Sequence, residues 1–467
     1  MLQQSPVEVL TAVPVRPLVV VVAVLATVFA VRRLVGMPLT APLRRRLHLG
    51  VPWGTLLTML GVLAIYLFLQ GAYWHSELLV TPFRTWSYLY PLGMLMGPFT
   101  HGSVGHLTGN LLGTLAYGTV VEYPWGHYPQ RRGESSFGSR RTNPFARILA
   151  VPAVMAAVGV FTGVFALGPI VGFSGVVFGL AGFALVTRPI LFLGAFLGGR
   201  IIDLVYVALR SPESTVGGSV RYVTPWWADV AIQGHAIGLL AGVFLGTALL
   251  RARSERPSPG AVFFATLLFA VTQGLWAVYI PVGGSRFTLF RWLGTALILL
   301  LAVLVAAATL YTDRRAFPDF GGGWPSLAGF ALIVALAALC LASVPANSAA
   351  LGSDDLPEDG LSVRDYVVTY EENVPNAYLE SMPLPPAARQ NITASGVVVA
   401  SADREIWTVA VSQSRLSLRG EATVVVGGMT WRETVQVNRT RWSVAGNDSV
   451  YSVALARDGV APRTVYV

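Results

Sequence analysis

The chain alternates long apolar runs with short connectors that carry most of its arginine. A membrane-spanning helix needs about 20 consecutive, mostly apolar residues. Such windows fall near 17–31, 53–72, 103–122, 146–166, 172–187, 189–208, 228–250, 260–281, 287–311 and 326–346, which predicts ten spanning helices. After the last window the pattern changes. Residues 347–390 hold Asp354, Asp355, Glu358, Asp359, Glu371 and Glu372 among several prolines, and read as a linker. Beyond it, runs at 396–400, 405–411, 422–426, 430–437 and 449–456 alternate along the chain between Gly, Asn and Asp punctuation, the signature of strands. The predicted fold is an all-α polytopic membrane protein with a small C-terminal β-sandwich.

The connectors supply an orientation. Arg32, Arg33 and Arg44–Arg46 follow the first window, Arg131, Arg132, Arg140 and Arg141 the third, and Arg188 the fifth. Arg251, Arg253 and Arg256 follow the seventh, and Arg314 and Arg315 the ninth. Every second connector is arginine-rich, so the positive-inside rule makes these cytoplasmic and places both termini and the β region outside. The sequons that begin at Asn391, Asn438 and Asn447 fit an outward-facing β region.

Composition narrows the class. Hydrophobic residues make up 54% of the 467 and charged residues 12%, against about 25% charged in soluble domains. The net charge of +9 comes from arginine without lysine, and the clustering of those arginines in short connectors argues for topology signals over nucleic-acid binding. Cys340 is the single cysteine, which excludes an intramolecular disulfide and a cysteine-rich metal site. The arginine pair Arg32–Arg33 follows the first apolar run, with the single Arg16 before it, so no cleavable signal peptide is expected.

Three polar fragments interrupt the apolar helices: His101–Asn110, Gly172–Gly175 and Gly234–Gly242. Polar side chains are costly in hydrocarbon and default to a functional reading. Ser174 lies at the start of a helix whose N-terminal N–H groups and dipole suit a developing oxyanion, with Gly172 and Gly175 allowing close approach of a substrate backbone. A G-x-S-G fragment alone equally fits close helix packing. His235, about seven residues into its helix, lies about 10 Å deep and offers a base for the serine hydroxyl; a structural imidazole bonded to a carbonyl is the alternative. Gly234, Gly238, Gly242 and Gly246 recur every four residues and give that helix a smooth face for a neighbour. His106 and Asn110 are four apart on one helix face, and both can donate to an anionic oxygen or bridge helices. His101 reads as structural. A zinc site from His101 and His106 is disfavoured, since no H-E-x-x-H is present, and neither metal nor cofactor is expected. Glu122 ends its helix as a cap, an arginine partner or an interfacial carboxylate. His48, His75 and His127 read as solvated loop residues, and Asp203 and Asp229 as interfacial.

In combination, H-x4-H-x3-N, then G-x-S-G, then a histidine opening a G-x3-G helix, the chain resembles the rhomboid family of intramembrane serine proteases over about residues 53–250. The resemblance implies a six-helix core, a nucleophile at Ser174, a base at His235 and no aspartate. It implies oxyanion groups at His106, Asn110 and the Ser174 N–H, a structural His101, and an acid twelve residues after the asparagine, where Glu122 stands. The chain departs from the family pattern in places. Phe173 precedes the serine where a small residue is common. Phe178 replaces a tyrosine that stacks on the base, and Phe83–Arg84 takes the place of a W-R pair in the first outer loop. The loop 123–145 is enlarged. The organisation that follows is an extra helix and cytoplasmic loop over 1–52, the core over 53–250, three further helices over 251–346, the linker over 347–390 and the β domain over 391–467.

The expected function is intramembrane proteolysis of membrane-anchored proteins near the outer face of what is expected to be the plasma membrane. Its partners are then transmembrane substrates and the bilayer, with an extracellular partner a further role for the β domain. The alternative is a catalytically inactive relative that binds or sorts membrane clients. A transporter would instead place ionisable groups at mid-membrane in paired halves, and no such symmetry is evident.

Overall fold

The computed structural model describes residues 22, 41–128, 135–209, 231–281, 287–310, 323–381, 393–443 and 449–467. Apart from Val22, the window at 17–31 lies outside them. Ala41–Arg46 (α1) leads to Trp53–Ala64 (α2), which a π-helical turn over Ile65–Leu69 extends. Pro91–Met96 (α3) precedes Val104–Trp125 (α4), Pro144–Phe165 (α5), Ser174–Thr187 (α6), Pro189–Leu209 (α7) and Ile232–Arg253 (α8). Pro259–Thr272 (α9), a hairpin of Tyr279–Pro281 (β1) and Phe287–Leu289 (β2), Arg291–Ala308 (α10) and Gly323–Asn347 (α11) follow. By length and composition α5, α8, α10 and α11 can cross a membrane, and α2 with its extension, α6, α9 and the first part of α7 are shorter apolar helices.

Local chemistry sets the helix ends. The Ser103 side chain accepts from His106 N to start α4, Asn143 accepts from Phe145 N and Ala146 N ahead of Pro144 to start α5, and Ser258 accepts from Ala261 N to start α9. The window 260–281 is helical only to Thr272, because Gly274 adopts φ +69 and turns the chain into β1.

The α6 helix is buried along most of its length and lies at the centre of the apolar cluster that also holds Met155, Leu239, Val243 and Phe269. Glycine makes this possible. A Cβ on Gly238 would overlap the Gly175 carbonyl, and one on Gly242 the Gly179 carbonyl. The reverse holds for Gly182 against Leu239. The two backbones therefore touch along α6 and α8, the close approach that small residues allow.

The C-terminal region forms two antiparallel four-stranded sheets. Leu361–Val363 (β3), Tyr366–Pro375 (β4), Thr393–Ser401 (β5) and Ile406–Ser412 (β6) run in the order β3-β4-β5-β6. Glu421–Gly427 (β7), Arg432–Ser443 (β8), Ser449–Arg457 (β9) and Val460–Tyr466 (β10) run in the order β10-β9-β8-β7. Short helices at Ala377–Glu380 (α12) and Gln413–Arg419 (α13) complete it. Val368, Val398 and Ile406 of one sheet share an apolar cluster with Val426, Val437 and Leu455 of the other.

The sheets begin at Leu361, inside the stretch expected to be a linker. In β4 the apolar side chains of Tyr366, Val368 and Tyr370 are buried, and the strand pairs with β5 from Val367↔Ala400 to Pro375↔Thr393. The acidic residues that suggested a linker, Glu371 and Glu372, lie in its second half, which is less buried. Of the sequons, Asn438 is exposed on β8, while Asn391 and Asn447 lie outside the described residues.

Candidate active site

The site grows from the turn before α6. Gly172 has φ +118, and a Cβ there would strike the His106 ring and reach Asn110 Nδ2 at 3.5 Å. Only glycine meets both demands. Its N–H donates to Gly97 O at 2.9 Å, which fixes the turn. Ser174 is then the first residue of α6, where the opening N–H groups have no intrahelical partner.

Ser174 Oγ lies 2.8 Å from His235 Nε2. His235 is in the first turn of α8, which begins at Ile232, so it stands nearer the helix end than the sequence windows suggest. The contact follows from the glycine packing, since the backbones touch where Gly175, next to Ser174, meets Gly238, about one turn after His235. Phe178, one turn after the serine, stacks on the His235 ring with centroids 4.1 Å apart and planes 10° apart. Phe173 is buried and turned toward Phe99, 6.0 Å away, so it packs in the core and does not line the cavity.

A cavity of about 1170 Å³ opens over these groups. His106, Asn110, Ser174 and His235 all line it, with Arg84 at its edge. Asn110 is buried with Nδ2 3.0 Å from His101 Nε2. The amide nitrogen has two N–H groups, and this contact uses one of them. His101 is fully buried, and Gln70 holds its backbone on both sides, accepting from His101 N at 2.8 Å and donating to His101 O at 2.8 Å. Its ring meets that of His106 edge-on at 5.0 Å.

Glu122 is remote from the serine and fully buried. It accepts from Gly54 N and Thr55 N, each at 2.8 Å, and from Thr55 Oγ1 at 2.7 Å, which caps α2. His127, expected to be solvated, is instead fully buried with Nε2 2.6 Å from Glu122. His75 is exposed, and His48 Nδ1 lies 2.7 Å from Tyr128 OH. The side chains of Asp203 and Asp229 lie outside the described residues. Among the described residues no cluster of three or more His, Cys, Asp or Glu is arranged to hold a metal ion.

Several residues that bear on the site escaped the sequence reading. Phe269 and Gln273, from α9 and its end, line the same cavity, and Phe269 meets Phe178 at 5.3 Å. The segment leading to Gly172 is gripped from three directions. Gln233 accepts from Leu167 N at 2.8 Å and donates to Phe165 O at 2.8 Å. Asn347 Nδ2 donates to Val164 O at 3.1 Å and Ala166 O at 2.8 Å. Thr85 Oγ1 donates to Gly168 O at 2.9 Å and accepts from Ile170 N at 2.9 Å. A glutamine in an apolar helix two residues before His235 was the available signal for the first of these.

Residues 85–252 match the family model described as Rhomboid domain, which supports membership of the rhomboid family. No curated protein and no solved structure matches the chain.

Proposed function

Taking rhomboid-family membership as the premise, we propose that this chain is an intramembrane serine endopeptidase with a Ser174–His235 dyad. The observation that carries the proposal is the 2.8 Å contact between Ser174 Oγ and His235 Nε2 within a cavity that His106 and Asn110 also line. Here His235 takes the serine proton as Oγ attacks a peptide carbonyl of a membrane-anchored substrate. The Ser174 N–H, the His106 ring and the second Asn110 N–H hold the resulting oxyanion. His235 then gives its proton to the leaving amine, and water hydrolyses the acyl-enzyme. Phe178 keeps the imidazole plane fixed by stacking.

Water must reach the serine, and a large cavity with polar lining residues suits that need. The substrate must unwind locally to expose a carbonyl, so single-span proteins with small or helix-breaking residues near one membrane face are the expected class. The arginine-rich connectors support a reading in which that face is the outer one, with the C-terminal sheets, which share an apolar core, on the same side.

The test is cleavage of a single-span model substrate in proteoliposomes. Ser174→Ala should abolish it, His235→Ala should lower it by about 10⁴-fold or more, and His106→Ala or Asn110→Ala by about 10²–10³-fold each. A fluorophosphonate probe should label the wild type at Ser174. Cleavage that persists in Ser174→Ala, or a wild type that neither cleaves nor takes up the probe, overturns the reading; the latter leaves a client-binding relative.

A further inference from the structure

The α6 helix faces two cavities. It presents Ser174, Val177 and Phe178 to the first and Val176, Gly179, Leu180 and Phe183 to the second, as the helical repeat requires. The second has a volume of about 260 Å³ and lies between α4, α5, α6 and α8. Its lining is apolar or glycine throughout. The one N–H among those side chains, the Trp125 indole, donates to Arg147 O at 2.9 Å and is thereby satisfied. Two flanking residues of the groove, Val154 of α5 and Leu245 of α8, are 48% and 42% exposed, so it opens sideways where a bilayer would lie. Water finds no hydrogen-bond partners in such a space, whereas a hydrocarbon chain supplies the dispersion contacts its walls lack.

One end of the groove is charged. Arg147 is one turn before Ala150 and Val151 on α5, and Arg253 is one turn beyond Leu249 on α8, so both stand at the same rim. The Arg147 guanidinium lies 4.3 Å over the Trp125 ring. Arg147 and Arg253 both donate to Trp125 O, and Arg46 Nη2 donates to Pro124 O at 2.7 Å, an acceptor it shares with Arg253. Carbonyls satisfy N–H donors without cancelling charge, so Arg147 and Arg253 bring two cations to one carbonyl, that of Trp125. Glu255, close by, forms an ion pair with Arg188 at 3.0 Å.

We propose that this groove is a binding site for an anionic phospholipid, one acyl chain filling the crevice and the phosphate held at the rim by Arg147 and Arg253. Charge complementarity selects the occupant: basic pockets between helices at a membrane face recruit anionic headgroups, each arginine contributing about fivefold in affinity. The chain in the groove packs on the back of the helix whose front bears Ser174.

The test uses the full-length protein in nanodiscs doped with phosphatidylglycerol or phosphatidylcholine, each carrying a diazirine on one acyl chain, with crosslinks mapped by peptide mass spectrometry. Phosphatidylglycerol should label the groove segments of α5 and α8 at least about tenfold more than phosphatidylcholine. The double variant Arg147→Gln, Arg253→Gln should lose that preference, and the double variant Arg147→Lys, Arg253→Lys should keep most of it. Leu245→Trp, at a half-exposed position, should block labelling by both lipids. Equal labelling by the two lipids in the wild type overturns the proposal, as does labelling that Leu245→Trp leaves unchanged. Because the headgroup comparison needs no variant, a substitution that impairs folding leaves the proposal testable.

Discussion

The Glu122 carboxylate sits where two helix ends and a loop meet. It ends α4, caps the N-terminus of α2 through Gly54 and Thr55, and holds His127, whose Nδ1 accepts from His48 N at 2.8 Å. Each of those donors would be buried and unpaired without it, at about 1–3 kcal/mol apiece. Glu122→Ala should therefore destabilise the protein by at least about 3 kcal/mol, read as a lower unfolding midpoint in detergent micelles. Glu122→Gln keeps one acceptor and should lose less. An unchanged midpoint in Glu122→Ala would remove the capping role. The sequence carried half of this. A carboxylate at the end of an apolar helix announces a cap or a partner, whereas nothing in the run around His127 shows that this imidazole folds back into the protein. Hydropathy marks a connector as a connector and is blind to which of its side chains return to the core.

Among the elements, α6 and α8 hold the geometry of the serine and the imidazole. The four-residue glycine spacing on α8 is visible in the sequence, and so is the helix start at Ser174, because both are local patterns. The partner of each glycine is not local: Gly238 meets Gly175 and Gly242 meets Gly179. Gly238→Ala or Gly242→Ala must push the helices apart, since the obstacle in each case is backbone and cannot swing away. A displacement of about 1 Å at a reacting pair costs about 10²-fold in rate. Either variant should thus label with a fluorophosphonate about 100-fold more slowly than the wild type. At Gly234 the nearest atom is the Ala166 Cβ at 3.1 Å, so Gly234→Ala should have a much smaller effect. Equal labelling rates across the three variants would show that the glycine contacts do not set the site. The strands β3 and β4 were hidden by the opposite problem. Their apolar alternation is short, and Glu371 and Glu372 within β4 resemble the acidic residues of the preceding turn more than a strand.

At the scale of the whole molecule, elements beyond the matched domain reach the site in two ways: Phe269 and Gln273 line its cavity, and the C-terminal region connects to the approach to Ser174 through a small hydrogen-bonded hub. The segment 79–90 docks on the sheets: Tyr378 OH donates to Trp86 O, Arg404 Nη1 donates to Tyr90 OH at 2.9 Å, and Leu79 packs on Gly427. Burial pushes the Tyr378 phenol above its ordinary value, so it remains a donor. The same segment continues through Tyr88, which donates its N–H to Asn347 O at 2.8 Å and its hydroxyl to Val164 O at 3.0 Å. Thr85 then grips Gly168 and Ile170, the approach to Gly172 and Ser174. Asn347, fully buried at the end of α11, is the point where these paths cross. None of this is legible from sequence, because contacts between residues 164 and 347 leave no local pattern. It carries a consequence. Asn347→Leu keeps the branched heavy-atom shape and removes both N–H donors, leaving the Val164 and Ala166 carbonyls short of partners at about 1–3 kcal/mol. If the hub positions the nucleophile, substrate should bind with nearly unchanged KM while kcat falls about tenfold, and labelling of Ser174 should slow in step, since the cavity walls stay in place and only the segment before the serine loosens. If Asn347 merely holds α11, the unfolding midpoint should drop while the folded fraction keeps the wild-type kcat. Tyr378→Phe cuts the chain one link further out, at α12, and should lower kcat in the same direction by less.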